Sequence, residues 1–139
     1  MFTRPLFAIL LVFGTATGAL AQAAPVKSST VTAVTPTPDD RARQWLVLVD
    51  DKNYAQSWSQ AGKAFQNREK NDAWATKAGT ERAPFGAVAS RDLKSVDLSR
   101  SNIATVRYDT VFAHKASAVE TVTLAYDNGG WSVTDYAVN

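Results

Sequence analysis

The sequence predicts an α+β domain in which N-terminal helices pack on a curved four-stranded antiparallel sheet, in the order ααα-ββββ. Three observations carry this. Apolar residues recur at helical spacing from Ala42 to Ala78. Beyond Gly86 the pattern changes to alternation with period two. The strands are joined by short connections, and Asp127-Asn128-Gly129-Gly130 carries the hairpin turn residues that accept positive φ. Helices followed by strands imply a helical layer on one face of one antiparallel sheet.

The elements follow in order. Asp39 and Asp40 suit a helix N-terminus. Ala42, Trp45, Leu46 and Val49 then form an apolar stripe at i, i+3, i+4 and i+7. Val47 and Leu48 widen it, which predicts a central helix apolar around most of its circumference. Asp50-Asp51-Lys52-Asn53 reads as helix termination. A second helix is expected from Tyr54 through Trp58 and Ala61 to Phe65. A third, capped by Asn71 or Asp72, carries Trp74 and Ala78 and ends by Ala83, ahead of Pro84 and Gly86. The first strand, Ala87 to Asp97, is broken by Arg91, Asp92 and Lys94, as at an edge or a bulge. Val106, Tyr108, Thr110 and Phe112 share one face of the second. After a turn at His114 to Ser117, Ala118 to Tyr126 forms the third, with Glu120, Val122, Leu124 and Tyr126 on one face. Trp131 to Val138 closes the sheet.

The chain divides into three parts. Residues 1–21 read as a signal peptide: Arg4 gives the positive end, Pro5 to Phe13 the apolar stretch, and Ala19-Leu20-Ala21 the small-x-small cleavage pattern, with Ala23 as the second choice. The apolar run from Leu6 to Phe13 is far shorter than the roughly 20 residues of a membrane span. Export, to the periplasm or beyond it, is therefore expected. Residues 22–38, rich in Ala, Ser, Thr, Val and Pro, read as a disordered linker. Residues 39–139 are one domain, enough for a single core.

Composition narrows the function. The 139 residues hold no cysteine, which excludes disulfides and thiolate chemistry. Fifteen Lys and Arg against thirteen Asp and Glu give +2 with no basic stripe, so nucleic-acid capture is not expected. With one histidine, His114 in a solvated turn, no metal site is expected. A Ser-His-Asp triad would have to use that residue, and no nucleophile elbow accompanies it. No glycine-rich phosphate loop precedes a helix, and no cofactor is expected.

The sharpest candidate is Glu120, which the strand period turns toward the apolar side of the sheet. A carboxylate there needs a partner, and Arg91 and Arg82 are the natural ones. Two readings stand. In one, Glu120 is a base or a ligand-holding group beside Tyr108. In the other it is a structural ion pair tying the first strand or the Arg82–Gly86 turn to the sheet. The dense aromatic set, Trp58 among it, either lines an apolar ligand pocket or simply fills the core.

Several blocks of the chain also resemble a family of exported bacterial domains. They are Trp45-Leu46-Val47-Leu48-Val49-Asp50, Asn53-Tyr54-Ala55-Gln56-Ser57-Trp58, Trp74, Arg82-Ala83-Pro84-Phe85-Gly86 with Ser90-Arg91, Tyr108-Asp109-Thr110-Val111-Phe112 and Val119-Glu120-Thr121-Val122-Thr123-Leu124. Together they are similar to domain of unknown function 4019, over about residues 40–138. Family members carry a longer loop with Leu-Pro-Gly where this chain has Leu98-Ser99-Arg100-Ser101-Asn102. The resemblance supports a cone-like fold of the nuclear-transport-factor-2-like or cystatin-like kind, and it implies no activity.

Three functions are compatible with these residues. The leading one is a non-catalytic exported binding module for a small ligand or an envelope protein. In it Glu120, Arg91, Arg82, Tyr108 and Trp58 are the binding candidates, and Thr105, Arg107, Thr121 and Thr123 form the outer sheet face for a protein partner. The second is a small enzyme of isomerase or dehydratase type, with Glu120 as base and Tyr108 as hydrogen-bond donor to an oxyanion. The third is a self-associating domain, a homodimer through the open sheet face.

Overall fold

The computed structural model describes residues 33–139. The expected signal peptide and linker residues 22–32 lie outside the described residues.

Among the described residues four helices, not three, precede the sheet. Helix α1 spans Pro38–Asp50 and begins one residue ahead of the expected start. Its N-cap is Thr37, whose hydroxyl accepts from the Asp40 amide while the Asp40 carboxylate accepts from the Thr37 amide. Pro38, expected to close an extended linker, instead fills the first helical turn, where its fixed φ fits and its missing N–H costs nothing. The buried stripe is Ala42, Trp45, Leu46 and Val49. Val47 is 53% exposed, so the stripe is narrower than expected. After Asp51, Lys52 takes a left-handed φ of 59° and turns the chain into α2.

The expected helix from Tyr54 to Phe65 is two helices, α2 (Tyr54–Gln60) and α3 (Lys63–Arg68). The break at Ala61-Gly62 has a tertiary cause. Both residues are extended, and the Gly62 amide donates to the Val133 carbonyl at 2.7 Å. A Cβ at Gly62 would stand 2.9 Å from Ser132 Oγ, so only glycine brings this backbone so close to the sheet. The Gln66 amide group then donates to the carbonyls of Trp58, Ser59 and Ala61 around the break. Helix α4 runs Asn71–Arg82. Lys70 is its N-cap, and neither Asn71 nor Asp72 caps it, since both lie inside the first turn.

The strands β1 (Val88–Arg100), β2 (Ile103–Phe112), β3 (Lys115–Asp127) and β4 (Gly130–Val138) form an antiparallel meander in that order. Pairing of β1 with β2 shifts register at three places, which accounts for the broken alternation. Ala104, Val106, Tyr108, Thr110 and Phe112 of β2 face the helices. On β3 that face holds Ala118, Glu120, Val122 and Leu124. Tyr126, expected to extend it, is 39% exposed at the end of the sheet and meets Trp131 edge to face. The β2–β3 turn is Ala113-His114, shorter than expected, because β3 already begins at Lys115. At the next turn Asn128 and Gly129 both have positive φ, 45° and 84°.

Between the layers the rings of Trp45, Phe65, Trp74 and Tyr136 pack with centroids 5.0 to 6.1 Å apart. Both indole N–H groups are satisfied by buried Ser57. Trp45 donates to its carbonyl at 2.7 Å and Trp74 to its hydroxyl at 2.9 Å.

Candidate functional site

Glu120 is fully buried, and an ionised carboxylate there must be surrounded by donors. Four reach it. Arg82 and the Tyr136 hydroxyl donate to Oε1 at 3.2 and 2.8 Å, while Arg91 Nε and the Thr110 hydroxyl donate to Oε2, each at 2.7 Å. Asp50 at the end of α1 holds the other side of both arginines. Arg91 is bidentate on it at 2.7 and 3.0 Å, and Arg82 donates to it at 2.7 Å. Two guanidinium groups and two carboxylates thus alternate in a closed ring that joins α1, α4, β1 and β3.

The surroundings tune these groups. Burial pushes the Asp50 pKa up, but the hydrogen bonds from Arg91 and Arg82 outweigh it and hold the carboxyl below its ordinary 3.8. Burial works against the charge of Arg82 and Arg91, and the neighbouring carboxylates more than restore it, so both stay ionised. Burial, and then the Glu120 charge, raise the Tyr136 hydroxyl well above its usual range, which keeps it a donor. Arg82 also lies over the Phe112 ring at 4.8 Å, and its Nε is buried without a partner.

The ring opens onto a cleft of about 630 Å³, between the ends of α1 and α4, the start of α2 and the approach to β1. Val49, Tyr54, Gly79, Ala83, Ala87 and Val88 give apolar walls, with Asp50, Asp51, Lys52 and Arg82 at the polar side. Its size is within the range of small-molecule sites. Among the described residues no group of His, Cys, Asp or Glu is arranged to hold a metal ion. Nor is any helix there long and apolar enough to cross a membrane.

The structure brings Glu120, Arg91 and Arg82 together and places the other two candidates elsewhere. Tyr108 is paired with Glu120 across the strands, but its hydroxyl points away and donates to Asp39 Oδ1 at 2.6 Å, with Arg43 over its ring. Burial and that bond raise its pKa strongly. Trp58 donates its indole N–H to the Glu69 carbonyl at 2.6 Å and packs against the core from α2. Asp50, Thr110 and Tyr136 complete the site and were missed. Asp50 stands four residues after Leu46 and eight after Ala42, on the buried face of α1, and that spacing was the available signal.

Helices covering one face of a curled antiparallel meander make an α+β fold like that of NTF2-like proteins. Solved structures of the same fold include a SEC-C motif containing protein from Rhodopseudomonas palustris, with TM-score 0.54 and 12% identity over 73% of this chain and 77% of that one. A putative calcium/calmodulin-dependent protein kinase type II association domain from Thiobacillus denitrificans also has TM-score 0.54, at 10% identity over 76% and 95%. A putative NTF2-like transpeptidase from Campylobacter jejuni reaches 0.50 at 17% identity over 70% and 97%. Likeness at such identities shows the fold alone. No curated protein matches the chain. The chain belongs to the family described as protein of unknown function (DUF4019), whose model matches residues 41–136.

Proposed function

We propose that this chain is an exported, non-catalytic binding module that takes a small ligand into the cleft beside the ionic ring. The observation that carries this reading is the pairing of an open, mostly apolar cleft with a carboxylate that has no free position. A general base must reach the proton that it removes. Glu120 is buried, and both of its oxygens already accept two hydrogen bonds. The Tyr108 hydroxyl is committed to Asp39, so the acid–base pair of the isomerase reading is not assembled. Asp50 and Arg82 are the ring members that line the cleft, and Asp50 gives a ligand a polar contact without chemistry. Export rests on the signal-peptide pattern of residues 1–21.

Native mass spectrometry of the chain, expressed with its own N-terminus and recovered after export, tests the reading. The expected result is a product cleaved after Ala21 or Ala23, carrying an adduct of small-molecule mass that Ala87→Trp abolishes. An uncleaved chain would overturn export. A cleaved chain that stays free of adduct in crude extract would overturn the cleft, and would move the search to an envelope protein on Thr105, Arg107, Thr121 and Thr123 of the outer sheet face.

A further inference from the structure

We propose that the cleft selects an uncharged molecule with an apolar body and one hydrogen-bond donor, which it gives to Asp50. The inference rests on the cleft reading above and adds the ligand's chemistry. Three observations support it. The charged groups that line the cleft are Asp50 and Asp51 against Lys52 and Arg82, two of each sign. A charged head would lose its hydration and gain no net attraction in return.

Secondly, Arg82 is largely committed to the ring, with one Nη2 N–H left without a partner. Both Arg82 Nη atoms are bound to Glu120, Tyr136 and Asp50, and its Nε is shut away from solvent. An anionic head would therefore find Lys52 and at most one Arg82 N–H, beside two carboxylates.

Thirdly, Asp50 is the most exposed member of the ring, at 24% of its side chain against 0% for Glu120, 8% for Arg82 and 11% for Arg91. Its Oδ1 accepts two hydrogen bonds and its Oδ2 accepts one. A carboxylate offers about four acceptor positions, so one on Oδ2 is free. Because the two guanidinium groups already balance its charge, Asp50 acts toward the cleft as an acceptor dipole and not as a bare anion. A hydroxyl or amide N–H suits it, and an apolar tail fits the walls of Tyr54, Ala87 and Val88.

The test is calorimetric titration of the full chain at pH 7 with four probes of one tail length: 1-octanol, octyl methyl ether, octanoate and octylammonium. The expected result is that 1-octanol binds roughly three- to tenfold tighter than each of the others, as one added neutral hydrogen bond allows. Ala87→Trp and Ala83→Trp, both at exposed positions of the wall, should each abolish its binding while leaving the circular dichroism unchanged. If the ether equals the alcohol, the donor to Asp50 is overturned. If octanoate or octylammonium binds as tightly as the alcohol, the neutral selection is overturned. In both cases binding blocked by the tryptophans leaves the cleft reading standing. If no probe binds, or if the alcohol binds both tryptophan variants as well as the parent, the cleft reading falls and this inference falls with it.

Discussion

Two clusters join the helices to the sheet, and they do so by opposite physics. The aromatic cluster of Trp45, Phe65, Trp74 and Tyr136 is held by many weak, nearly non-directional contacts. The ring of Asp50, Arg82, Arg91 and Glu120 is held by a few strong ones, each of which compensates a charge taken out of water. Tyr136 belongs to both, with its ring in the first and its hydroxyl in the second. A packed cluster loses stability in proportion to the volume removed, whereas a closed ion ring loses most of its value when any one member goes.

The largest effect expected from this contrast is at Glu120. Glu120→Ala leaves two buried guanidinium groups facing one carboxylate and should cost about 3–5 kcal/mol, read by urea denaturation. Pairing it with Asp50→Ala should be far from additive, since either change alone opens the ring. A cost below about 1 kcal/mol would break the comparison. Trp45→Phe comes next. It keeps most of the ring volume but strands the buried Ser57 carbonyl, so about 1–3 kcal/mol is expected. Equal losses at Trp45 and Glu120 would mean that the two clusters do not differ in kind.

The smallest effect is on acidification. The folded-state pKa of Asp50 lies below its ordinary 3.8, so its contribution is complete above about pH 4 and is lost as pH falls through the lower folded value. Thermal melts between pH 5 and 2 should show this acid limb, and Asp50→Asn should flatten it. An unchanged limb in that variant would place the acid sensitivity in another carboxylate.

The residue types and their spacing made the class of fold legible, because helical and strand periods occupy separate halves of the chain. They also placed Glu120 inward with Arg82 and Arg91 as partners. What stayed hidden depended on tertiary contact. Gly62 breaks a helix because β4 lies against it, and nothing local to Tyr54–Phe65 announces that. Asp50 looked like a stop signal since Asp50-Asp51 precedes a turn, and only the arginines that arrive from α4 and β1 make it part of a site. Tyr108 and Tyr136 carry equivalent side chains on one face of the sheet. Which of them meets Glu120 is set by where α1 begins, because Asp39 takes the Tyr108 hydroxyl.

The ring's connectivity has a kinetic side. Its four ion pairs span 29 to 41 residues of sequence and come from two helices and two strands, so the ring cannot close until the sheet has paired and both helices have docked. Contacts of that kind are made on the native side of the folding barrier, where they leave the rate of folding nearly untouched and slow the rate of escape from the folded state. Under the proposed export, where no chaperone supplied with ATP would refold the domain, the lifetime of the folded state is the quantity that counts. The ring then acts as a latch on the finished molecule.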